Sequence, residues 1–247
     1  MDANLILAGL VIAVGSGGWE WQLQAPFDLS LDVKWYNLDP DNHAKADLDA
    51  LRGRGVHLIC YVSVGTWEEW RQDALDFPVG VKGQILEDWQ DEKWLDIRRR
   101  DLLVPIMAAR FEKCAEQGFE AVEPDNINLH NNDTGFGITR DDSLAYLRDL
   151  AAVARGLGLA IGQKNAPDLA GELAPDFDFM IAEECFKWGW CGETAPYLAR
   201  GKPVLAAEYI ETGIDFSAAC AQARQLGIEM IIKSYDLDAS RITCEDI

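Results

Sequence analysis

The chain has 247 residues, 49% of them hydrophobic, enough to bury one large core; its six scattered cysteines do not make it a disulfide-scaffold miniprotein. It carries 42 acidic against 22 basic residues. The resulting formal charge of −20 argues against nucleic acid or an anionic membrane surface as partner and is compatible with a cationic ligand.

The first element in chain order is an apolar run, Leu5 to Val14, followed by Gly15-Ser-Gly-Gly18. It resembles the hydrophobic part and small-residue end of a signal peptide, although Asp2 stands where a basic residue belongs. The run is too short to span a bilayer, so no membrane insertion is expected. Residues 1–18 are therefore set apart as a signal-like or disordered segment, with a secreted or periplasmic protein as the expectation. Residues 19–247 are read as a single domain, because no low-complexity linker or charge block divides them.

Strand candidates then alternate with helices, the pattern of parallel βα units. The strands are Trp19–Leu23, Leu31–Trp35, His57–Val64, Ala121–Pro124, Leu159–Gly162, Phe179–Glu183, Pro203–Ala207 and Met230–Lys233. Helices are predicted over Pro105–Gln117, Asp141–Arg155 (capped by Asp141 or Asp142) and Phe216–Gln225. Glycines such as Gly118, Gly158 and Gly227 close a helix just before a strand, where a left-handed residue turns the chain back. Eight strands with this punctuation predict an α/β fold, a single (β/α)8 TIM-type barrel.

In such a barrel the chemistry gathers at the carboxyl ends of the strands. Phe119-Glu-Ala-Val-Glu-Pro-Asp-Asn126 reads as a buried strand running into a carboxylate, and pairing is expected to stop near Pro124, which has no N–H to donate. A second acidic strand end follows in Phe177-Asp-Phe-Met-Ile-Ala-Glu-Glu-Cys185. Two carboxylates at two strand ends are what glycoside hydrolysis requires: one group protonates the departing oxygen, and the other attacks the anomeric carbon or activates water. Acidic strand ends also occur in barrels that do other work. With three histidines lacking ligand spacing, and with no dinucleotide or serine-hydrolase motif, no metal and no cofactor are expected. The other candidates at the mouth are Trp21, Asp32, Tyr61, Asn126, Lys164, Asn165, Glu208 and Tyr209, with Trp188 in the loop after the second acidic end. Nine tryptophans, most in or beside strand-end loops, offer flat faces on which sugar rings stack; for any one of them, packing between barrel and helices is the plainer role. Cys185 and Cys191 are close enough to close a small loop, and Cys220 and Cys244 to tie down the C-terminus; six unpaired thiols are the alternative.

At these residues a resemblance emerges. The chain resembles the endo-α-1,4-polygalactosaminidase family, glycoside hydrolase family 114. The blocks that carry it are Trp19-Glu-Trp-Gln-Leu-Gln24, Ile59-Cys-Tyr-Val-Ser-Val-Gly65, Trp67-Glu-Glu-Trp-Arg71 and Trp94-Leu-Asp-Ile-Arg98. Gly118 to Asn126, Thr134-Gly-Phe136, Gly162-Gln-Lys-Asn165, Glu183-Glu-Cys-Phe186, Lys202-Pro-Val204 and Glu208-Tyr209 continue it in order. The resemblance implies a barrel that cuts α-1,4-linked galactosamine polymers, with Asp125 as nucleophile, Glu183 as general acid/base and retention at the anomeric carbon. The motif selects Glu183 over Glu184, since alternating side chains should not both point into the mouth. Asn128-Leu-His130 departs from the family's usual Gly-Tyr, which bears on subsites rather than on the carboxylates. The expected partner is a cationic, partly deacetylated polysaccharide, with Asp32 and Glu208 as candidates for amine recognition. The alternatives are a hydrolase of another α-linked glycan on the same fold and a carbohydrate-binding pseudoenzyme.

Overall fold

The structure is a computed structural model that describes residues 18–247; the signal-like run from Leu5 to Val14 lies outside the described residues. In chain order the elements are β1 (Trp19–Gln22), β2 (Trp35–Leu38), α1 (Lys45–Gly53), β3 (His57–Ser63), β4 (Thr66–Glu68), β5 (Lys82–Leu86), β6 (Trp89–Leu95) and α2 (Arg100–Gln117). They continue with β7 (Ala121–Asp125), α3 (Arg140–Gly156), β8 (Ala160–Lys164), α4 (Ala170–Leu173), β9 (Phe179–Glu183) and α5 (Cys185–Trp188). The last are α6 (Ala195–Leu198), β10 (Val204–Tyr209), α7 (Phe216–Leu226), β11 (Glu229–Lys233) and β12 (Ile242–Thr243).

Eight parallel strands run in the order β1-β2-β3-β7-β8-β9-β10-β11, and the short β12 pairs antiparallel with β11. The sheet curls into a (β/α)8 barrel. Its seam between β11 and β1 is closed by the Leu237 carbonyl, which accepts from the Leu23 and Gln24 amides at 2.9 and 3.2 Å, and by Lys233, which donates to Glu20. The strands are buried on both faces, so they read as near-continuous apolar runs. Alternate residues fill the interior, including Trp19, Trp21, Trp35, Ile59, Phe179, Ile181, Leu205 and Ile231. The intervening ones, among them Leu58, Val122, Met180, Val204 and Ile232, meet the helices. Gly162 is glycine for lack of room: a Cβ there would sit 2.3 Å from the Phe179 ring.

Several details differ from the sequence expectations. The second strand starts at Trp35, four residues later than the Leu31–Trp35 run, because Leu31 to Lys34 belong to the long loop that joins β1 to β2 without a helix. Pairing of β7 with β8 stops at Val122, but pairing with β3 runs on through Pro124 to Asp125, so the proline ends one ladder rather than the strand. Helix α2 begins five residues before Pro105, and α3 is capped by Thr139, whose hydroxyl and the Asp142 side chain form a reciprocal capping box. The left-handed glycines are where the sequence puts them, with φ of +91° at Gly118, +75° at Gly158 and +76° at Gly227.

Between β3 and α2 the chain inserts a small antiparallel sheet, β4-β6-β5, that stands over the mouth. All six cysteines are paired: Cys185–Cys191 and Cys220–Cys244, as their spacing suggests, and Cys60–Cys114, which ties β3 to α2. Cys60–Cys114 spans 54 residues, so its loss should relieve the unfolded chain of a substantial constraint. Replacing both residues by alanine is expected to cost about 2–5 kcal/mol in urea unfolding. A midpoint unchanged from wild type would show that this bridge contributes nothing.

Candidate active site

Inward positions along the strands are two residues apart, so the register fixes which polar side chains meet. Asp125 on β7, Lys164 on β8 and Glu183 on β9 end three adjacent strands and all point into the mouth. The next residue in each case is left-handed, with φ of +60° at Asn126, +49° at Asn165 and +54° at Glu184. This conformation ends the strand, and asparagine tolerates it better than most side chains. Gly65 lets the Asn126 turn pack closely, since a Cβ at residue 65 would fall 1.8 Å from the Asn126 carbonyl oxygen.

Lys164 is the hub. Its ammonium lies 3.1 Å from Asp125 Oδ1, 3.1 Å from Glu183 Oε2 and 3.4 Å from Glu123 Oε1, and 4.7 Å above the Trp21 ring. Burial pulls this ammonium down, but the carboxylates of Asp125, Glu183 and Glu123 outweigh it and hold Lys164 well above the usual lysine range. Tyr61 donates to Asp125 Oδ2 at 3.1 Å. Glu183 accepts from the Tyr209 hydroxyl and from Asn165 Nδ2 at 3.3 Å, while its own amide donates to Asn165 Oδ1 at 2.8 Å. Asn126 donates to the hydroxyls of Ser63 and Thr66 at 3.0 and 3.3 Å. Asp125 and Glu183 are thus each held by at least two neighbours and still reach solvent.

Asp125 and Glu183 open onto a cleft of about 830 Å³ lined by Trp21, Tyr61, Lys164, Asn165, Tyr209 and residues of the inserted sheet. Trp70 and Trp89 line it too, and both expose more than half their surface, as platforms for a flat ligand would. The cleft is rich in carboxylates, several of them neutralised by Arg71, which contacts Asp39, Asp41 and Glu68 at 2.8–2.9 Å.

Three sequence candidates sit elsewhere. Asp32 is exposed in the loop that precedes β2, at the opposite end of that strand from the mouth. Glu208 is an outward position of β10, one residue out of phase with the inward Tyr209, and β10 runs two residues past the expected Ala207. Its carboxylate accepts from the Phe186 and Lys187 amides at 2.7 and 3.3 Å, so it anchors the loop after β9. Burial pushes Glu208 up to about 7. Trp188 is on that loop, 68% exposed, with its indole N–H 3.3 Å from Glu184 and outside the cleft lining. Glu184 itself does line the cleft, beside Glu183. The strand alternation that should have excluded it ends at its left-handed backbone.

Glu123 is the group that sequence reasoning passed over. It is fully buried one inward step below Asp125, accepts from Asn37, and is pushed up to about 8 by burial, against the pull of Lys164 and with the push of Asp125. Burial thus favours its protonated form. The Glu-x-Asp spacing was the available signal, since a two-residue step on a strand keeps one face.

The sequence model of glycoside-hydrolase family GH114 matches residues 10–247. No curated protein sequence matches the chain. Among solved structures, Ega3 of Aspergillus fumigatus, in complex with galactosamine, is similar over 92% of this chain and 95% of its own, at 29% identity and a TM-score of 0.85. The glycoside hydrolase domain of PelA from Pseudomonas aeruginosa is similar over 92% of this chain and 97% of its own, at 16% identity and a TM-score of 0.69, a likeness of fold. With the family model spanning nearly its whole length and two carboxylates at the mouth of its barrel, this chain belongs to glycoside-hydrolase family GH114.

Proposed function

We propose that this glycoside hydrolase cleaves α-1,4-linked galactosamine polymers internally and with retention, Asp125 acting as nucleophile and Glu183 as general acid/base. One observation supports retention, the division of roles resting on the family: both carboxylates lie 3.1 Å from a single ammonium, so the oxygens that face it are no more than about 6.2 Å apart. That bound falls below the ~6.5–9.5 Å of inverting pairs, which leave room for a water, and admits the ~5–5.5 Å of retaining ones. In the first step Asp125 attacks the anomeric carbon while Glu183 gives its proton to the departing glycosidic oxygen. The result is a glycosyl ester on Asp125 and a free chain end. Glu183, now ionised, takes a proton from water, whose oxygen displaces Asp125 from the same carbon and regenerates both groups. The galactosamine polymer, its linkage and internal cleavage rest on the family and on the galactosamine bound to the Aspergillus relative. Three disulfides persist in an oxidising compartment, which favours secretion.

Substrate and charge are tested together. A deacetylated polymer carries ammonium groups, and the protein carries −20. Their attraction is screened over a Debye length of about 10 Å at 0.1 M salt. The apparent affinity for deacetylated polymer is expected to fall as salt rises, with the N-acetylated polymer a poorer and salt-insensitive substrate. Equal rates on both polymers, unaffected by salt, would mean that the substrate is neutral. The first-formed product should keep the α configuration in an NMR time course; a β product would reverse the assignment of mechanism.

A further inference from the structure

The amine of galactosamine is on C2, next to the carbon that reacts, so a group that reads it must lie beside Asp125. The two residues that the sequence offered for that task, Asp32 and Glu208, do not face the cleft. Most carboxylates that do face it already have a cation. Arg71 serves Asp39, Asp41 and Glu68, and Lys164 serves Asp125 and Glu183. Among the described residues, four cleft carboxylates have no Lys or Arg nitrogen within 4.0 Å: Asp88, Glu92, Glu184 and Asp236. Asp88 and Asp236 are exposed, where water already solvates them. Glu184 accepts from the Tyr235 hydroxyl at 3.0 Å and from the Trp188 indole at 3.3 Å.

Glu92 is different. It is only 5% exposed, yet it lines the cleft. Oε2 accepts from the Thr66 hydroxyl at 2.5 Å, and Oε1 takes no hydrogen bond from any described residue. Thr66 lies 2.5 Å from the Ser63 hydroxyl, and Asn126 donates to both, so this carboxylate is tied to the turn that follows Asp125. Burying an anion without a counter-charge is costly unless something supplies one. Burial, together with the neighbouring charges of Glu68 and Asp125, pushes Glu92 up to about 7 against the Thr66 hydrogen bond and the pull of Arg71, which does not touch it.

We propose that Glu92, delivered by the inserted sheet, is the specificity-determining residue that takes the ammonium of the sugar being cleaved. The assignment rests on the galactosamine reading above. A C2 ammonium would supply the missing positive charge and three N–H donors for Oε1, whereas an acetamido group brings a single N–H, no charge and added bulk.

The test uses Glu92→Gln, which can keep a carbonyl acceptor for Thr66 while a neutral NH2 replaces the charged second oxygen, against matched α-1,4 oligosaccharides of galactosamine and of N-acetylgalactosamine. Binding is followed by calorimetry and turnover by product release. The expected result is a loss of about ten-fold or more in affinity and in kcat/KM for the amine oligosaccharide. Binding of the N-acetylated one should change less than about two-fold. Thr66→Val, which keeps the charge but breaks the chain to Asn126, should weaken both ligands alike. Equal losses for both ligands in Glu92→Gln would make Glu92 a merely structural residue, and no loss for either would remove it from recognition; both overturn the assignment. Wild type that binds and cleaves neither ligand would overturn the substrate reading, and the Glu92 assignment with it.

Discussion

Asp125→Asn and Glu183→Gln are each expected to lower hydrolysis by at least ~10³-fold while leaving the barrel folded. Each substitution removes a group that either bonds to the anomeric carbon or moves a proton in the transition state, and each puts an amide of nearly the same shape in its place. Asn at position 125 still accepts from Tyr61, and Gln at position 183 still accepts from Tyr209; the contact with Lys164 is lost, where an amide NH2 replaces the second oxygen. Glu184→Gln is the control: it lines the same cleft, contacts no member of the Lys164 cluster, and should retain most of the activity. Initial rates on soluble polymer, with melting curves to confirm folding, make the comparison. A dead Glu184→Gln beside an active Glu183→Gln would reverse the assignment.

Lys164→Met should be the most damaging change to stability. The lysine is buried and is the only ammonium in contact with Glu123, Asp125 and Glu183 among the described residues. Removing one partner of a buried ionic cluster typically costs about 3–5 kcal/mol, and the lower end is expected here, since Asp125 and Glu183 keep some solvent and only Glu123 is left wholly buried without its cation. The pH dependence follows from Glu123. Its folded pKa of about 8 lies above its ordinary 4.5, so between those values the folded protein holds a proton that the unfolded chain releases. That proton makes stability fall as pH rises through the window. Without Lys164 the pull that holds Glu123 down is gone, so its carboxyl group moves further up and the window over which stability falls widens. Urea unfolding should therefore show a larger loss for Lys164→Met at pH 8 than at pH 5; the same loss at both would mean that the lysine acts by packing alone.

Much of the site was legible because strand ends announce themselves chemically. Asp125, Lys164 and Glu183 each end a short, largely buried strand and precede a residue that breaks it, and β9 was read residue for residue. Asp32 failed because Leu31, Val33 and Trp35 alternate as a strand should, while the actual strand, Trp35-Tyr-Asn-Leu38, carries a polar residue in its middle. Asn37 is there to meet Glu123, a partner 86 residues away that no local pattern reveals. Glu208 failed on phase: with β10 running to Tyr209, the inward set becomes Leu205, Ala207 and Tyr209, which turns Glu208 towards the helices. Glu92 was invisible because its strand, Trp-Gln-Asp-Glu-Lys-Trp-Leu, is mostly polar and belongs to an insertion whose place over the mouth only tertiary structure gives.

The central claim is that this barrel cuts galactosamine polymers internally through Asp125 and Glu183. Incubating the protein with purified galactosamine-containing exopolysaccharide and reading the soluble products by mass spectrometry tests it most directly. Wild type should release a ladder of galactosamine oligosaccharides, and Asp125→Asn none. Monosaccharide alone, products of another sugar only, or the same ladder from Asp125→Asn would contradict it.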